Sequence, residues 1–249
     1  PWGEPVTIKY DRRDVLLYAV GIGVRDLNFI YEGHPTFAVF PTFPIRWGGT
    51  GAPIDVNAIP NSPGPLNIDA ERYLEMEKHL PLAGEVTVQS RVIAAHPRGK
   101  GNGFVEFESL VRDTDGDVCV RMVNGSFRRG VEKLGDIEAF EGSGQTFSTK
   151  IVVPDAPADV TASVRIADNQ AHIYRLSGDY NPLHIDPESA KFGGFDEPIL
   201  HGLCTFGHCG QLLVAKLCDG AVKRFGKIKV RFSSPVYPGD TLDLHMWHD

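Results

Sequence analysis

Three segments in which apolar and polar residues alternate, Val86–Val92, Phe104–Glu108 and Val118–Met122, are separated by short turn-forming runs. Those runs are Gly99-Lys100-Gly101-Asn102-Gly103 and Asp113-Thr114-Asp115-Gly116-Asp117. A two-residue period puts successive side chains on opposite faces of an extended chain, and connections this short cannot make a parallel crossover. The stretch predicts an antiparallel meander of three strands with one face turned to a core. That face needs a cover, and the sequence offers one. From Ile199 to Leu217 the chain is largely apolar but carries His201, His208, Gln211 and Lys216, which predicts a long buried helix starting near Leu200. An antiparallel sheet wrapped on such a helix is an α+β arrangement. No GxGxxG turn follows a strand, so a doubly wound nucleotide fold is not expected.

The remaining segments divide the chain in two. Residues Arg12–Gly23 are compatible with a helix, 41–68 form a Pro/Gly/Asn-rich excursion, and 130–150 are polar and Gly-rich. Beyond Ile151 come a short helix around Asn169–Leu176, a turn-rich loop, the long helix, and strands Lys227–Val236 and Thr241–Trp247. The halves echo each other weakly: Pro81-Leu82-Ala83-Gly84-Glu85 precedes one strand, and Pro235-Val236-Tyr237-Pro238-Gly239-Asp240 another. Residues 1–135 are expected to form one half, 136–150 a linker, and 151–249 the second half without its last strands. The first residue is not Met, so the sequence reads as a piece of a longer polypeptide.

Composition removes several function classes. With 25 basic and 32 acidic side chains the net charge is −7, which argues against nucleic acid as a partner. The polar residues within 199–217 argue against a membrane span, and Pro1-Trp2-Gly3-Glu4-Pro5 has no signal-peptide character. Cys119, Cys204, Cys209 and Cys218 show no CxxC spacing and read as small core residues of a reducing compartment. The Asp113–Asp117 turn fails as a calcium loop, since its glycine is misplaced and Asn124 stands where a glutamate is needed.

The chemistry concentrates in Ser177-Gly178-Asp179-Tyr180-Asn181-Pro182-Leu183-His184-Ile185-Asp186. Gly-Asp ends a helical pattern and Asn-Pro forces a turn, so Asp179 and His184 can converge on one point. Leu200-His201-Gly202-Leu203 then opens the long helix, where unpaired N–H groups and a positive dipole end meet a residue with no Cβ. A base, an acid and an oxyanion donor are what addition of water to an α,β-unsaturated thioester requires. Taken alone, the same residues also fit an Asx turn beside a surface histidine. A metal site from Asp179, His184, Asp186 and His201 lacks any metal-binding spacing, so no metal is expected. His34, His79, His96, His172, His208, His245 and His248 show no pairing pattern, and His201 reads as a residue that caps or braces.

The run Ser177–Pro187 with Pro198-Ile199-Leu200-His201-Gly202-Leu203-Cys204-Thr205 closely resembles the MaoC-like 2-enoyl-CoA hydratase 2 family. Asp14–Gly21, Phe29–Gly33 and Phe40–Phe43 are similar to that family's first half, and Lys229–Phe232 and Pro235–Gly239 to its closing segment. The resemblance implies a double hot-dog fold, two antiparallel sheets each wrapped around a long helix. It implies hydration of trans-2-enoyl-CoA to (3R)-3-hydroxyacyl-CoA in fatty acid β-oxidation, with no cofactor beyond the CoA of the substrate. By position it puts the catalytic pair on Asp179 and His184, the supporting amide on Asn181, and the oxyanion N–H on Gly202. Only the second half carries this block, so the first is expected to be non-catalytic and to accommodate the acyl-CoA.

For coenzyme A, five of nine residues from Lys223 to Arg231 are basic, and a strand puts Lys227, Lys229 and Arg231 on one face. A solvated strand face is the other reading of that pattern. By resemblance, Lys100, Asp69, Ala70, Lys229, Arg231 and Phe232 are further substrate-contacting candidates. The family also implies a homodimer, fusion to a (3R)-hydroxyacyl-CoA dehydrogenase, and a peroxisomal location, although Met246-Trp247-His248-Asp249 carries no targeting signal. Two other readings compete, a hot-dog acyl-CoA thioesterase and a non-catalytic acyl-CoA-binding module. The Asp–Asn-Pro–His block counts against both.

Overall fold

The structure, a computed structural model, describes residues 1–53, 59, 62, 66–131, 140–141 and 152–248. It is an α+β chain whose main sheet is antiparallel, as the alternating segments require. Strands β1 (Val6–Tyr10), β2 (Asn67–Met76), β3 (Gly84–Pro97), β4 (Gly103–Arg112) and β5 (Val118–Arg128) come from the first half. The second half gives β7 (Val160–Arg165), β8 (Lys227–Arg231) and β9 (Thr241–Met246), and β6 is the short Phe140–Glu141. The sheet runs β1-β3-β4-β5-β2-β8 with β6 on the β3 edge, while β7 and β9 form a separate antiparallel pair.

The expected meander is present as β3, β4 and β5, with β3 and β4 longer at both ends than the alternation indicated and β5 longer at its far end. Its inner face is apolar over much of its length, with Val88, Val111, Val120 and Met122 fully buried. On the outer face Glu108 of β4 accepts from Arg91 of β3 and Arg121 of β5, each at 2.7 Å, so a carboxylate 4% exposed is flanked by two guanidinium groups. β2 lies where the excursion was expected to end. Its β-bulge between Asp69 and Glu71 breaks the two-residue period and hides the strand from a pattern reading.

Among the described residues the α-helices are α1 (Arg12–Gly21), α2 (Leu27–Ile30), α3 (Gln170–Tyr174), α4 (Pro187–Phe192) and α5 (Gly202–Leu217). α1 begins on a reciprocal cap: Asp11 accepts from the Asp14 N–H and Asp14 accepts from the Asp11 N–H. The two halves are unequal in their helices. The second carries the sixteen-residue α5, whereas α1 has ten residues and is followed by an aromatic cluster from the excursion, with Phe43 edge-on to Tyr18 and to Trp47. Through its glycines α5 packs closely on Ile22, just beyond α1, and on Phe40 and Thr42. A methyl on Gly207 would lie 2.2 Å from Ile22, so only glycine permits the approach. Among the described residues all four cysteines are free, and Cys119, Cys204 and Cys218 are buried in the core.

β8 does not stay with its own half. It pairs antiparallel with β2, Glu71 opposite Arg231 and Glu75 opposite Lys227, and the Phe232 N–H donates to the Ala70 carbonyl at 2.9 Å. The second half therefore joins the first through a shared sheet, and the two-sheet expectation holds with this difference. The segment 136–150, expected as a linker, lies outside the described residues except for β6.

Candidate active site

A cavity of about 570 Å³ opens between the inner face of β2, β4 and β5 and the turn and helix start of the second half. The turn is built by local chemistry. Gly178 closes the preceding helical turn at φ +114°, a conformation glycine adopts freely. The Asp179 carboxylate then accepts from the Asn181 N–H at 3.3 Å, and the Asn181 side chain accepts from the Leu183 N–H at 3.1 Å. These two bonds fold 179–184 so that Asp179, Asn181 and His184 all line the cavity.

His184 is fixed further. Its Nδ1 lies 2.9 Å from the Ile199 carbonyl oxygen, which can only accept, so Nδ1 carries the hydrogen and Nε2 keeps a lone pair. Burial lowers the His184 pKa, against opposing contributions from the Ile199 bond and the Asp179 charge. His201 packs behind it with ring centroids 3.8 Å apart and ring planes 27° apart. The His201 Nε2–H donates to the Asp179 backbone oxygen at 3.2 Å, and burial first, then the neighbouring His184, lower its pKa to about 4. Its side chain makes no cap on α5, so of the two roles considered for it, bracing is the one the contacts support.

Ligand atoms of Asp179, His184 and His201 fall within 4.8 Å of one another, a spacing that could hold a metal ion. Each histidine has one ring nitrogen committed to a backbone oxygen and the other uncommitted, while Asp186 stands apart from the cluster, capping α4 through the Glu188 and Ser189 N–H groups. Above this cluster Gly202 opens α5, whose first turn presents amide N–H groups without intrahelical acceptors. A methyl on Gly202 would meet the Phe232 ring at 3.4 Å, ordinary contact.

Of the other residues expected from sequence, Asp69 and Phe232 line the cavity and Ala70, Lys100, Lys229 and Arg231 do not. Lys100 is exposed at the tip of the β3–β4 hairpin. Arg231 is bound by Glu71, its Nε and Nη2 donating to one oxygen at 2.7 and 2.5 Å, so the basic face of β8 meets acids of β2 rather than the cavity. Asp69 is held by Arg72, whose Nε donates to both carboxylate oxygens at 2.8 Å. Burial and the Asp179 charge raise the Asp69 pKa, and the Arg72 ion pair opposes them. Arg72, Phe107, Asn124 and Arg128 were not anticipated. The one sign of them in the sequence is that the inner face of β5 changes from Val120 and Met122 to Asn124, Ser126 and Arg128.

Residues 150–249 match the MaoC like domain and residues 8–130 the MFE-2 hydratase 2 N-terminal domain. A probable enoyl-CoA hydratase 2 of Dictyostelium discoideum is 33% identical, over 98% of this chain and 83% of that one. The chain belongs to the MaoC-like hydratase 2 family. A mouse peroxisomal multifunctional enzyme type 2 is 34% identical over 96% of this chain, which spans 33% of that protein's length. Among solved structures, a MaoC-like dehydratase from Phytophthora capsici superposes with a TM-score of 0.86 at 34% identity, over all of this chain and 86% of that one. A Mycobacterium tuberculosis protein described as a double hotdog fold shares the architecture at TM-score 0.55, with 12% identity over 97% of this chain and 82% of that one. The expected fold class therefore stands.

Proposed function

We propose that the chain hydrates trans-2-enoyl-CoA to (3R)-3-hydroxyacyl-CoA. The observation that carries the reading is the tautomer of His184: a ring whose Nδ1–H is held by Ile199 has Nε2 as its proton acceptor, in the same cavity as Asp179 and the Gly202 helix start. His184, kept neutral by burial, takes a proton from a water that Asp179 orients. The water oxygen bonds to the β-carbon, and the π electrons move onto the thioester oxygen. The Gly202 N–H and the helix dipole stabilise that enolate, a contribution of about 3–4 kcal/mol by analogy with other oxyanion sites. The imidazolium then returns its proton to the α-carbon, so the pair ends as it began. Asn181 holds the turn, and no group beyond the protein and the substrate's own CoA takes part.

The wall given by β2, β4 and β5 supports a first half that receives substrate without catalysing. The mouse multifunctional enzyme, of which this chain spans 33%, supports a place within a larger enzyme, and a role in β-oxidation belongs to the same proposal. A peroxisomal location, a homodimer and a fused (3R)-hydroxyacyl-CoA dehydrogenase are further parts of this proposal. Incubation with trans-2-decenoyl-CoA tests the core of it. Loss of the enoyl absorbance with a single 3R product on a chiral column is expected. Release of free CoA would instead mark a thioesterase, and binding without turnover an acyl-CoA-binding module.

A further inference from the structure

One cation of the first half reaches the loop that backs the catalytic turn. Arg129 directly follows β5, and its backbone is tied within its own half: its N–H donates to the Leu66 carbonyl at 3.1 Å, and its carbonyl accepts from Ser62 Oγ at 2.7 Å. The side chain crosses to the second half. Its Nη2 donates to the Gly193 carbonyl at 2.5 Å, and the guanidinium carbon stands 6.0 Å from the centre of the Phe195 ring. A hydrogen bond from an ionised donor is about twice as strong as a neutral one. Arg129 Nε is buried with no hydrogen-bond partner, a cost that a residue kept only for surface charge would not carry. On the other side of the contact, Gly193 has no side chain and Gly194 sits at φ +82°, so the chain has little stiffness of its own there.

What this clamp holds is the wall behind His184. Phe195 packs against the cluster of Leu183, Ala190 and Ile199, and Phe195, Leu183 and Ile199 all line the cavity. Leu183 precedes His184 in the chain, and the Ile199 carbonyl is the acceptor that fixes the His184 tautomer. The segment carrying that carbonyl has few bonds of its own. The Phe195 N–H donates to the Ala190 carbonyl at 3.0 Å and the Leu200 N–H to the Val236 carbonyl at 2.7 Å. Between them, among the described residues, the N–H groups of Asp196, Glu197 and Ile199 make no backbone hydrogen bond. The Ile199 carbonyl is therefore held in place by side-chain packing, and it moves when that packing moves. A shift of about 1 Å at an oriented base can cost about a hundredfold in rate, even when its cause lies far from the reacting atoms.

We propose that Arg129 is a positioning residue: it holds Phe195, and through Phe195 the Ile199 carbonyl, so that the first half sets the orientation of the His184 ring in the second. The proposal rests on the hydratase reading for its kinetic consequence, and not for the tautomer that Arg129 maintains.

Imidazole nitrogen NMR and hydration kinetics on the same variants test it. A difference spectrum against His184→Gln assigns the His184 signals, which in the wild type should show the Nδ1–H tautomer alone. Arg129→Met keeps an apolar stem and loses the donors. In it the two tautomers should mix, and kcat on trans-2-decenoyl-CoA should fall about tenfold, equivalent to about 1.4 kcal/mol, with KM changed by less than about twofold. Arg129→Lys, whose ammonium can still donate to Gly193, should bring both readouts back close to wild type. In a Phe195→Leu background the Arg129→Met change should cost less than about twofold, because the link is already broken. Circular dichroism and thermal melting check the fold; if Arg129→Met fails that check, Phe195→Leu alone carries the test, with the same mixing of tautomers expected. A single tautomer with unchanged kcat in Arg129→Met would overturn the positioning role. So would a loss that Arg129→Lys does not relieve, or one that multiplies in full with that of Phe195→Leu. A tautomer governed by Arg129 in a protein that does not hydrate the thioester would sink the hydratase reading alone. Hydration with a tautomer indifferent to Arg129 would sink the positioning role alone.

Discussion

His208 should make this protein lose stability between pH 7 and pH 5, and removing it should remove that loss. The ring is 1% exposed on α5, accepts from Gln211 Nε2 at 2.9 Å through Nδ1, and has its pKa lowered by burial from 6.5 to about 4. In the unfolded chain the imidazole takes up a proton as pH falls through 6.5, while the folded state resists until about 4. The unfolded state therefore binds more protons over that window, and stability falls with pH across it. The full difference is worth roughly 3 kcal/mol, of which roughly 2 kcal/mol is lost between pH 7 and pH 5. Urea unfolding of the wild type and His208→Gln at both pH values isolates this residue, because the carboxylates contribute equally to both proteins. The drop from pH 7 to pH 5 should be smaller in the variant by about 2 kcal/mol. Parallel losses in the two proteins would show that the buried ring is not the proton-linked group.

Three further expectations concern activity. Asp179→Ala and His184→Ala should each lower kcat by ~10²–10⁴-fold with binding retained, and the acid limb of the wild-type kcat/KM profile should lie below pH 6.5; steady-state kinetics across pH read both. Gly202→Ala should fold normally, since its methyl makes only ordinary contact with Phe232, yet lose turnover by filling the place of the thioester oxygen; thermal melting beside kinetics separates the two effects. His201→Phe should keep the stack on His184 but lose the bond to the Asp179 backbone, lowering kcat about fivefold with KM little changed, as one hydrogen bond of about 1 kcal/mol implies.

The parts of the molecule legible in the sequence are those set by neighbours along the chain. β3, β4 and β5 alternate and are joined by glycine- and aspartate-rich turns, and Asp179, Asn181 and His184 are brought together by hydrogen bonds spanning two residues. What the sequence hid depends on distant partners. β2 is disguised by its bulge, and β7 is a short strand recognisable only beside β9. The basic face of β8 suggested phosphate, because nothing near it in the chain announced the acids of β2 across the register. Arg72 and Asn124 became cavity residues only once β2 and β5 met the second half.

The pairing of β8 with β2 also bears on how such a chain can change. One face of the catalytic space comes from each half, and their separation is set by a hydrogen-bonded ladder at Glu71–Arg231 and Glu75–Lys227. A one-residue slip of that ladder would turn Arg231, Phe232 and the serines after it to the opposite face. Insertions in the segment joining the halves should therefore be tolerated far better than any change of length inside β2 or β8. Exchange of a half with a relative would succeed only if the incoming strand keeps the same phase. The unit that selection can trade is the whole tandem pair, and substrate range can drift on the β2–β5 wall while the aspartate–histidine turn stays fixed.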